Sequence, residues 1–406
     1  MTNHPDFWVR DAAARDRALA RLESYVRQET PTGDRDELVS FVEKLAARYR
    51  ELGASVTLHH VDGGAHLVAD LAGRGAAADT PPILLIGHSD TVWARGTLAD
   101  EVPWTTDGTR ITGPGVYDMK SGLVVIEEAL ELLRSSGADH RPVRIIVTAD
   151  EEIGSPSSAE LLRSTAVGCS AAIGFESPHP NGDLKCGRLG STRLKLTVTG
   201  VPAHAALDPD KGVSATEEIL DQLLAVRAIA ARATERAATR EDTTVLYNLG
   251  SIEAPGLANV VSDGASAVLG FRFSDPEIES EVLGEIEALQ VIRPGATLEV
   301  TRLSYRPAWK ARAADKELAG LIARCAAEAP ISGGAAEGER GATAAGLPVG
   351  CAPAAGAADT NLLGSSDIAV VDGFGPRGGG AHARSEHIII DSLWERIPLL
   401  AEVLAN

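Results

Sequence analysis

Cysteine is scarce in this chain of 406 residues. The four present, Cys169, Cys186, Cys325 and Cys351, are far apart and form no C-x-x-C pair. That spacing excludes a thiolate metal site and a disulfide framework, and it reads as four reduced, buried thiols. Aromatic residues make up only 4%, so alanine, valine and leucine must build the core within a hydrophobic content of 44%. No apolar run reaches the roughly 20 residues needed to cross a bilayer. The first residues, Met1-Thr2-Asn3-His4-Pro5-Asp6, carry neither a basic patch nor an apolar stretch, so no secretion signal is expected. Basic residues are outnumbered, 38 Lys and Arg against 57 Asp and Glu, for a formal charge of −19. Such a surface argues against nucleic acid and anionic membranes as partners, although a local cationic pocket could still take a small anion. A cytoplasmic globular protein is expected, and its length favours two domains over one core.

The most informative stretch is Ile83-Leu84-Leu85-Ile86-Gly87-His88-Ser89-Asp90-Thr91-Val92. Four apolar residues without alternation predict a strand buried on both faces, as in a parallel sheet. It stops at a glycine, and a histidine and an aspartate follow where open α/β sheets carry their chemistry. Histidine is the commonest metal ligand, and its second nitrogen usually donates to an orienting oxygen. Taken alone, the pair reads as a strand-end histidine and a turn-forming aspartate; the partners downstream reverse that reading.

Downstream, Ile111 to Gly122 is a glycine-rich turn with Asp118 at its centre, opening an apolar helix over 123–133. It lacks the lysine and serine spacing of a phosphate loop, and an aspartate there suits a cation better. A strand over 143–148 runs into Asp150-Glu151-Glu152, and another over 171–175 ends in Glu176. Four successive buried-looking strands thus end in His and Asp, in Asp, in Asp-Glu-Glu and in Glu, which predicts a carboxylate-rich metal site. Helices are also expected over 6–28, 36–52, 315–328 and 392–404, with strands over 56–60, 66–71 and 368–371. The adjacent His59 and His60 read as surface residues.

From Leu189 the pattern changes. Strands over 192–199, 245–252, 265–273 and 297–304 and helices over 214–235 and 276–289 alternate as β-α-β-β-α-β. This is the ferredoxin-like unit, expected as an inserted domain. The predicted organisation is a catalytic domain in two parts, residues 1–188 and 305–406, around an insert of residues 189–304. No internal repeat is present.

Five fragments in order now carry a resemblance: Gly87-His88-Ser89-Asp90-Thr91-Val92, Gly113-Pro114-Gly115-Val116-Tyr117-Asp118-Met119-Lys120-Ser121-Gly122, Thr148-Ala149-Asp150-Glu151-Glu152-Ile153-Gly154-Ser155, Phe175-Glu176-Ser177-Pro178 and Gly378-Gly379-Gly380-Ala381-His382-Ala383-Arg384-Ser385-Glu386. The chain resembles, over nearly its whole length, the di-zinc metallopeptidases that include glutamate carboxypeptidase (carboxypeptidase G type), aminoacylase, acetylornithine deacetylase and succinyl-diaminopimelate desuccinylase. The resemblance implies an α/β, zinc-peptidase-like catalytic domain with a mixed, mostly parallel sheet, and a ferredoxin-like dimerisation (lid) domain.

It implies two divalent ions per chain, zinc first with cobalt or manganese as substitutes. His88, Glu152, Glu176 and His382 would be terminal ligands and Asp118 would bridge, followed by a cis peptide bond to Met119. Asp90 would orient His88, and Glu151 would be the general base for a water held between ions about 3.5–4 Å apart. Gly200-Val201-Pro202-Ala203-His204-Ala205-Ala206 is similar to the family's G-x-x-x-H-A-G. It would place His204 across a homodimer interface, steadying the oxyanion in the partner's site. Asn259, Arg272 and Arg306 look like the family's contacts to a substrate carboxylate, a role the forked guanidinium suits. Mid-strand, Arg272 would be costly without such a role.

There are departures. The family's G-G-T-D or G-S-D loop is here Gly356-Ala357-Ala358-Asp359-Thr360-Asn361, and Ala206 replaces the glycine after His-Ala. The implied activity is hydrolysis of the amide joining an acyl or peptidyl group to an amino acid with a free carboxylate, from an N-acyl amino acid or a short peptide. Glutamate at position 176 favours a glutamate-carboxypeptidase-like enzyme; an N-acyl-amino-acid deacylase is the alternative, and a binding protein that keeps the fold is a third reading.

Overall fold

The computed structural model describes residues 12–328 and 349–406, so the first part of the expected 6–28 helix lies outside the described residues. The chain divides into two compact units. The first comprises Met1–Cys186, Ala311–Pro353 and Ala358–Asn406; the second comprises Gly187–Lys310 with Ala354–Ala357.

In the first unit six strands lie side by side in the order Ser55–Val61, Gly64–Leu71, Val143–Thr148, Ile83–His88, Ala171–Gly174 and Ala369–Val371. Gly64–Leu71 is antiparallel to both its neighbours, and every other pairing is parallel. Ile83–His88 sits between two parallel neighbours with all six residues buried, which is why its apolar run does not alternate. His88 ends its parallel strand, and the 150–152 segment, Glu176 and Asp372 follow the carboxyl ends of others, where an open sheet leaves a crevice.

Asp118 arrives differently. The strand before it, Arg110–Thr112, belongs to a separate small sheet with Thr105–Thr106, His387–Ile389 and Gly378–Gly379, so only three of the four expected endings belong to the main sheet. The Arg110–Thr112 backbone pairs with His387–Ile389 on one side and Thr105–Thr106 on the other. Asp118 lies instead in the turn Val116–Lys120, with a cis bond to Met119, at the start of the helix Ser121–Ser136. That helix must lie close to the sheet end. A Cβ at Gly122 would come within 2.5 Å of the Phe175 carbonyl oxygen, so only glycine lets the Asp118 turn sit beside Glu176.

The core of this unit joins Leu22 and Val26 of Ala12–Arg27, Phe41 and Leu45 of Arg35–Glu51, the strands, and Ile397 and Leu400 of Ile390–Ala405. Two acids lie inside it. Glu127 is fully buried and accepts the Tyr25 hydroxyl at 2.8 and 2.9 Å, while the Arg21 guanidinium lies 3.5 Å from Glu127 and 3.0 Å from Glu128. Burial pushes the Glu127 carboxyl up to about 7, against the pull of Arg21. For an acid raised in the fold, the stabilisation is complete below its unfolded value near 4.5 and is lost as pH rises through about 7. Glu127→Gln is therefore expected to outlast the wild type above pH 7, by about 3 kcal/mol at most. Thermal midpoints against pH for both proteins check this; parallel curves would refute it.

The cysteine expectation is corrected. Cys186 and Cys351 form a disulfide with Cα atoms 5.7 Å apart, while Cys169 and Cys325 are buried thiols outside any disulfide. The bonded pair sits on two short strands, Leu184–Arg188 and Cys351–Ala354, that pair with each other. A separation of 165 residues carries no signal of that pairing.

The second unit carries strands Gly190–Thr199, Val245–Glu253, Gly264–Phe273 and Thr297–Arg306 and helices Ala215–Ala238 and Pro276–Glu287. The spatial strand order places Gly264–Phe273 and Gly190–Thr199 in the centre, with Val245–Glu253 and Thr297–Arg306 at the edges. All pairings are antiparallel, giving the ferredoxin-like β-α-β-β-α-β arrangement. Alternation buries Leu194, Leu196 and Val198 together with Leu269, Phe271 and Phe273 on one face, in one core with Ile219, Val226 and Val282 of the helices. Ser214 caps the first helix through the Glu217 amide; Asp275, followed by Pro276, caps the second. Among the described residues no helix is long and apolar enough to cross a membrane.

Candidate metal centre and active site

Asp118 is the middle of the site. Its Oδ1 lies 3.2 Å from His88 Nε2, and its Oδ2 lies 3.3 Å from His382 Nε2. Glu176 Oε1 approaches His88 Nε2 at 3.4 Å, and Glu152 Oε2 approaches His382 Nε2 at 3.3 Å. One carboxylate thus faces two sets, His88 with Glu176 on one side and His382 with Glu152 on the other. The structure brings all five expected ligand side chains together from three loops beyond the main sheet, the Asp118 turn and the 382 loop.

The electrostatics show what this arrangement demands. Burial would lower the His88 pKa, but Asp118, Asp90 and Glu176 outweigh it and hold the imidazole well above its usual value. Asp118 and Glu152 raise His382 to about 10. Burial opposes ionisation of Asp118, yet both histidines pull its carboxyl well below the usual range, whereas Glu176 is raised by burial and by the Asp118 charge. Three carboxylates therefore require positive charge at the two Nε2 positions. A proton supplies it to the bare side chains, and divalent cations in the same space would supply more. Glu152 Oε1 is buried without a hydrogen-bond partner among the described residues, an orphan acceptor that also fits a cation. His, Asp and Glu side chains suit zinc, and among the described residues no cysteine belongs to these groups.

Asp90 is placed by its own neighbours. Its backbone oxygen bonds His88 Nδ1 at 2.9 Å, and its side-chain Oδ1 lies 3.4 Å from the same nitrogen. That contact leaves Nε2 to point at Asp118. The Asp90 carboxylate also accepts the Glu151 and Glu152 amides, both at 3.2 Å, and the Thr32 hydroxyl at 2.8 Å. One buried aspartate thus sets the His88 tautomer and holds the turn that carries both glutamates.

The run Asp150-Glu151-Glu152 divides by function. Asp150 takes the Ser157 amide at 2.7 Å, the Ser157 hydroxyl at 2.6 Å and the Ser158 hydroxyl at 2.5 Å, so its carboxylate is committed to the loop. Glu151 turns the other way: one ligand atom each from His88, Glu151 and Glu176 lie within 4.8 Å of one another. His66 braces the same loop, with Nδ1 accepting the Ala149 amide and Nε2 facing the Ser157 hydroxyl.

His204, Asn259, Arg272 and Arg306 all belong to the second unit and form two local pairs. His204 is exposed, on a short strand paired with Val260–Val261, and its Nδ1 accepts the Ala206 and Leu207 amides. That contact leaves Nε2 to carry the proton. The Asn259 carbonyl accepts the amide of the neighbouring Ala205. Arg272 and Arg306 flank Ser191 from the two adjacent strands, so they share a register. Arg272 is exposed at the penultimate position of its strand, which corrects the expectation of a costly mid-strand charge. Partial burial and the Arg306 charge both lower its pKa.

The altered loop has its polar side chains turned inward. Asp359 accepts the Thr148 hydroxyl at 2.8 Å and that of Ser155; Thr360 donates to Asp372, and Asn361 caps the Ala358 amide. Composition missed Thr32, Asp372 and Glu386. Asp372 accepts the Glu176 amide at 3.3 Å and Glu386 accepts the Asp118 amide at 3.1 Å, but isolated acids after short strands carry no distinguishing spacing.

Comparison with known proteins agrees with this assembly. Carboxypeptidase G2 from Pseudomonas sp. (strain RS-16) is 28% identical over 397 residues, 96% of this chain and 88% of that protein. An acetylornithine deacetylase from Vibrio campbellii is 29% identical over 192 residues, 46% of this chain and 47% of that protein. Among solved structures, an aminopeptidase from Bacillus cereus matches 96% of this chain and 98% of its own, with TM-score 0.69 and 19% identity. An M20 family metallo-carboxypeptidase from Sulfolobus solfataricus matches the same shares with TM-score 0.68 and 16% identity. The model of peptidase family M20/M25/M40 matches residues 84–406. A metal-dependent hydrolase is thus indicated, and the chain belongs to peptidase family M20/M25/M40.

Proposed function

We propose that the protein hydrolyses the amide between an acyl or peptidyl group and a C-terminal amino acid bearing a free carboxylate, with glutamate as the preferred residue. The observation that carries this reading is the sharing of Asp118 between two ligand sets with the Glu151 carboxylate beside one of them. The choice of a carboxypeptidase is supported by extent: similarity to carboxypeptidase G2 covers 96% of the chain, similarity to a deacetylase 46%.

His88, Glu176 and Asp118 would hold one divalent ion and Asp118, Glu152 and His382 the other. Such ions supply Lewis acidity and bring the pKa of water towards neutrality. Glu151, whose carboxylate lies with His88 and Glu176, takes the proton of the attacking water and returns it to the departing nitrogen. Asp90 keeps His88 in the tautomer that leaves Nε2 available. Arg272, Arg306 and Asn259 are assigned to the substrate carboxylate. His204, with its Nε2 proton directed outwards, is assigned to the oxyanion of a second copy of the chain in a homodimer.

The test is a hydrolysis screen with zinc-loaded enzyme, read by mass spectrometry. It compares peptidyl- and N-acyl-glutamates with their α-amides and with N-acetyl derivatives of other amino acids. Release of glutamate with loss of turnover on the α-amides is expected. Preference for N-acetyl-ornithine-like substrates would assign the enzyme to the deacylases, and equal turnover of α-amides would remove the carboxylate requirement.

A further inference from the structure

We infer that Glu386 is a positioning residue that locks the Asp118 and His382 branches of the metal centre to each other. The inference rests on the metal assignment above and concerns a residue that contacts neither water nor substrate in that scheme. Glu386 is fully buried, and its carboxylate accepts four hydrogen bonds. Oε2 takes Trp93 Nε1 at 2.6 Å and the Gly115 amide at 2.9 Å. Oε1 takes the Tyr117 amide at 2.8 Å and the Asp118 amide at 3.1 Å. The donors thus come from the loop after Asp90 and from the turn that presents Asp118. The three amides belong to the opening of a turn that runs into the helix Ser121–Ser136, where backbone donors lack partners of their own. A carboxylate there satisfies them and suits the positive end of the helix.

The same residue fixes His382. Ala383 donates its amide to Gly380 and Glu386 donates its amide to Ala383, so two consecutive turns join the histidine to the glutamate. His382 has φ of 60°, a left-handed conformation that is unfavourable for a non-glycine residue and persists where surrounding contacts hold it. Anchoring Glu386 in the Asp118 turn supplies such a contact. The two ligands facing each other at 3.3 Å are thereby held from behind by one side chain.

Glutamine is a harsh substitute at this position. A carboxylate offers two acceptor oxygens, whereas an amide offers one and aims its NH2 at two buried donors. Orienting partners of metal ligands usually change metal affinity by about 10–100-fold when removed. The test titrates full-length wild type and Glu386→Gln with Co²⁺ against a chromophoric chelator and records the visible Co²⁺ spectrum. Folding of the metal-free proteins is followed by circular dichroism. Supporting results are a Co²⁺ affinity lowered about 10–100-fold, an altered spectrum and an intact fold. A folded variant with wild-type affinity and spectrum overturns the inference, even with a lower thermal midpoint, because a purely structural role would move only the midpoint. Should Glu386→Gln not fold, Trp93→Phe removes one of the four donors and leaves the carboxylate. An unchanged affinity and spectrum in that variant overturn the inference equally, and weakened binding supports it. Wild-type protein that binds no Co²⁺ would instead remove the metal assignment on which the clamp depends.

Discussion

Glu151→Gln is expected to lower kcat by about 10²–10⁴ while the metal content of the protein stays at the wild-type level. Glutamine keeps the size and the hydrogen-bonding reach of the side chain and removes its capacity to take a proton. The backbone of residue 151 is already fixed by its bond to Asp90, so the substitution should leave the turn in place. Steady-state kinetics and metal analysis on the same sample check both halves of the statement. Near-normal turnover would mean that another group is the base. Asp150 is a poor replacement because its carboxylate is occupied by Ser157 and Ser158, which leaves Glu152. Loss of metal together with activity would make Glu151 a ligand, consistent with its closeness to His88 and Glu176. The variant also tests the homodimer: mixed with His204→Ala under subunit exchange, it should regain up to about half of the wild-type activity per mixed dimer. No recovery despite demonstrated exchange would place His204 outside the partner's site.

Removing divalent cations is expected to abolish hydrolysis completely, and Zn²⁺, Co²⁺ or Mn²⁺ should restore it. Two further carboxylates, Glu152 and Glu176, and two imidazoles surround Asp118, and without metal both histidines are held protonated above their usual range. Binding of an ion to the folded state alone should also raise thermal stability, by about 2.7 kcal/mol at a hundredfold excess over Kd. Activity after chelation and the thermal midpoint with and without added metal measure these two effects separately. Dialysed protein free of bound divalent ions that retains full turnover would sink the metal-dependent reading.

Local pattern alone determined the main helices and the strands of the two larger sheets. The unalternating Ile83 to Ile86 run predicted a strand covered on both faces, and the alternation in 265–273 a strand with one buried face. Capping residues Ser214 and Asp275 marked helix starts in the same way. The order of these signals was enough for a mixed α/β unit and a ferredoxin-like unit. The endings at His88, Asp118, 150–152 and Glu176 were legible as acids and a histidine following apolar runs, whereas His382 and the division of ligand roles came only through the family resemblance.

Tertiary structure decided how those residues divide their work. That Asp150 belongs to the loop while Glu151 and Glu152 face the site depends on Ser157, Ser158 and Asp90, which no spacing rule joins to them. The disulfide between Cys186 and Cys351 and the buried pair Tyr25 and Glu127 depend on strand and helix packing across 165 and 102 residues. Glu386 reads in the sequence as one more polar residue after a histidine. Only the folded chain brings it under the Asp118 turn, because its four donors lie 268 to 293 residues away. Periodicity reports which face of an element is buried; it carries no information about which distant backbone amide a buried carboxylate will meet.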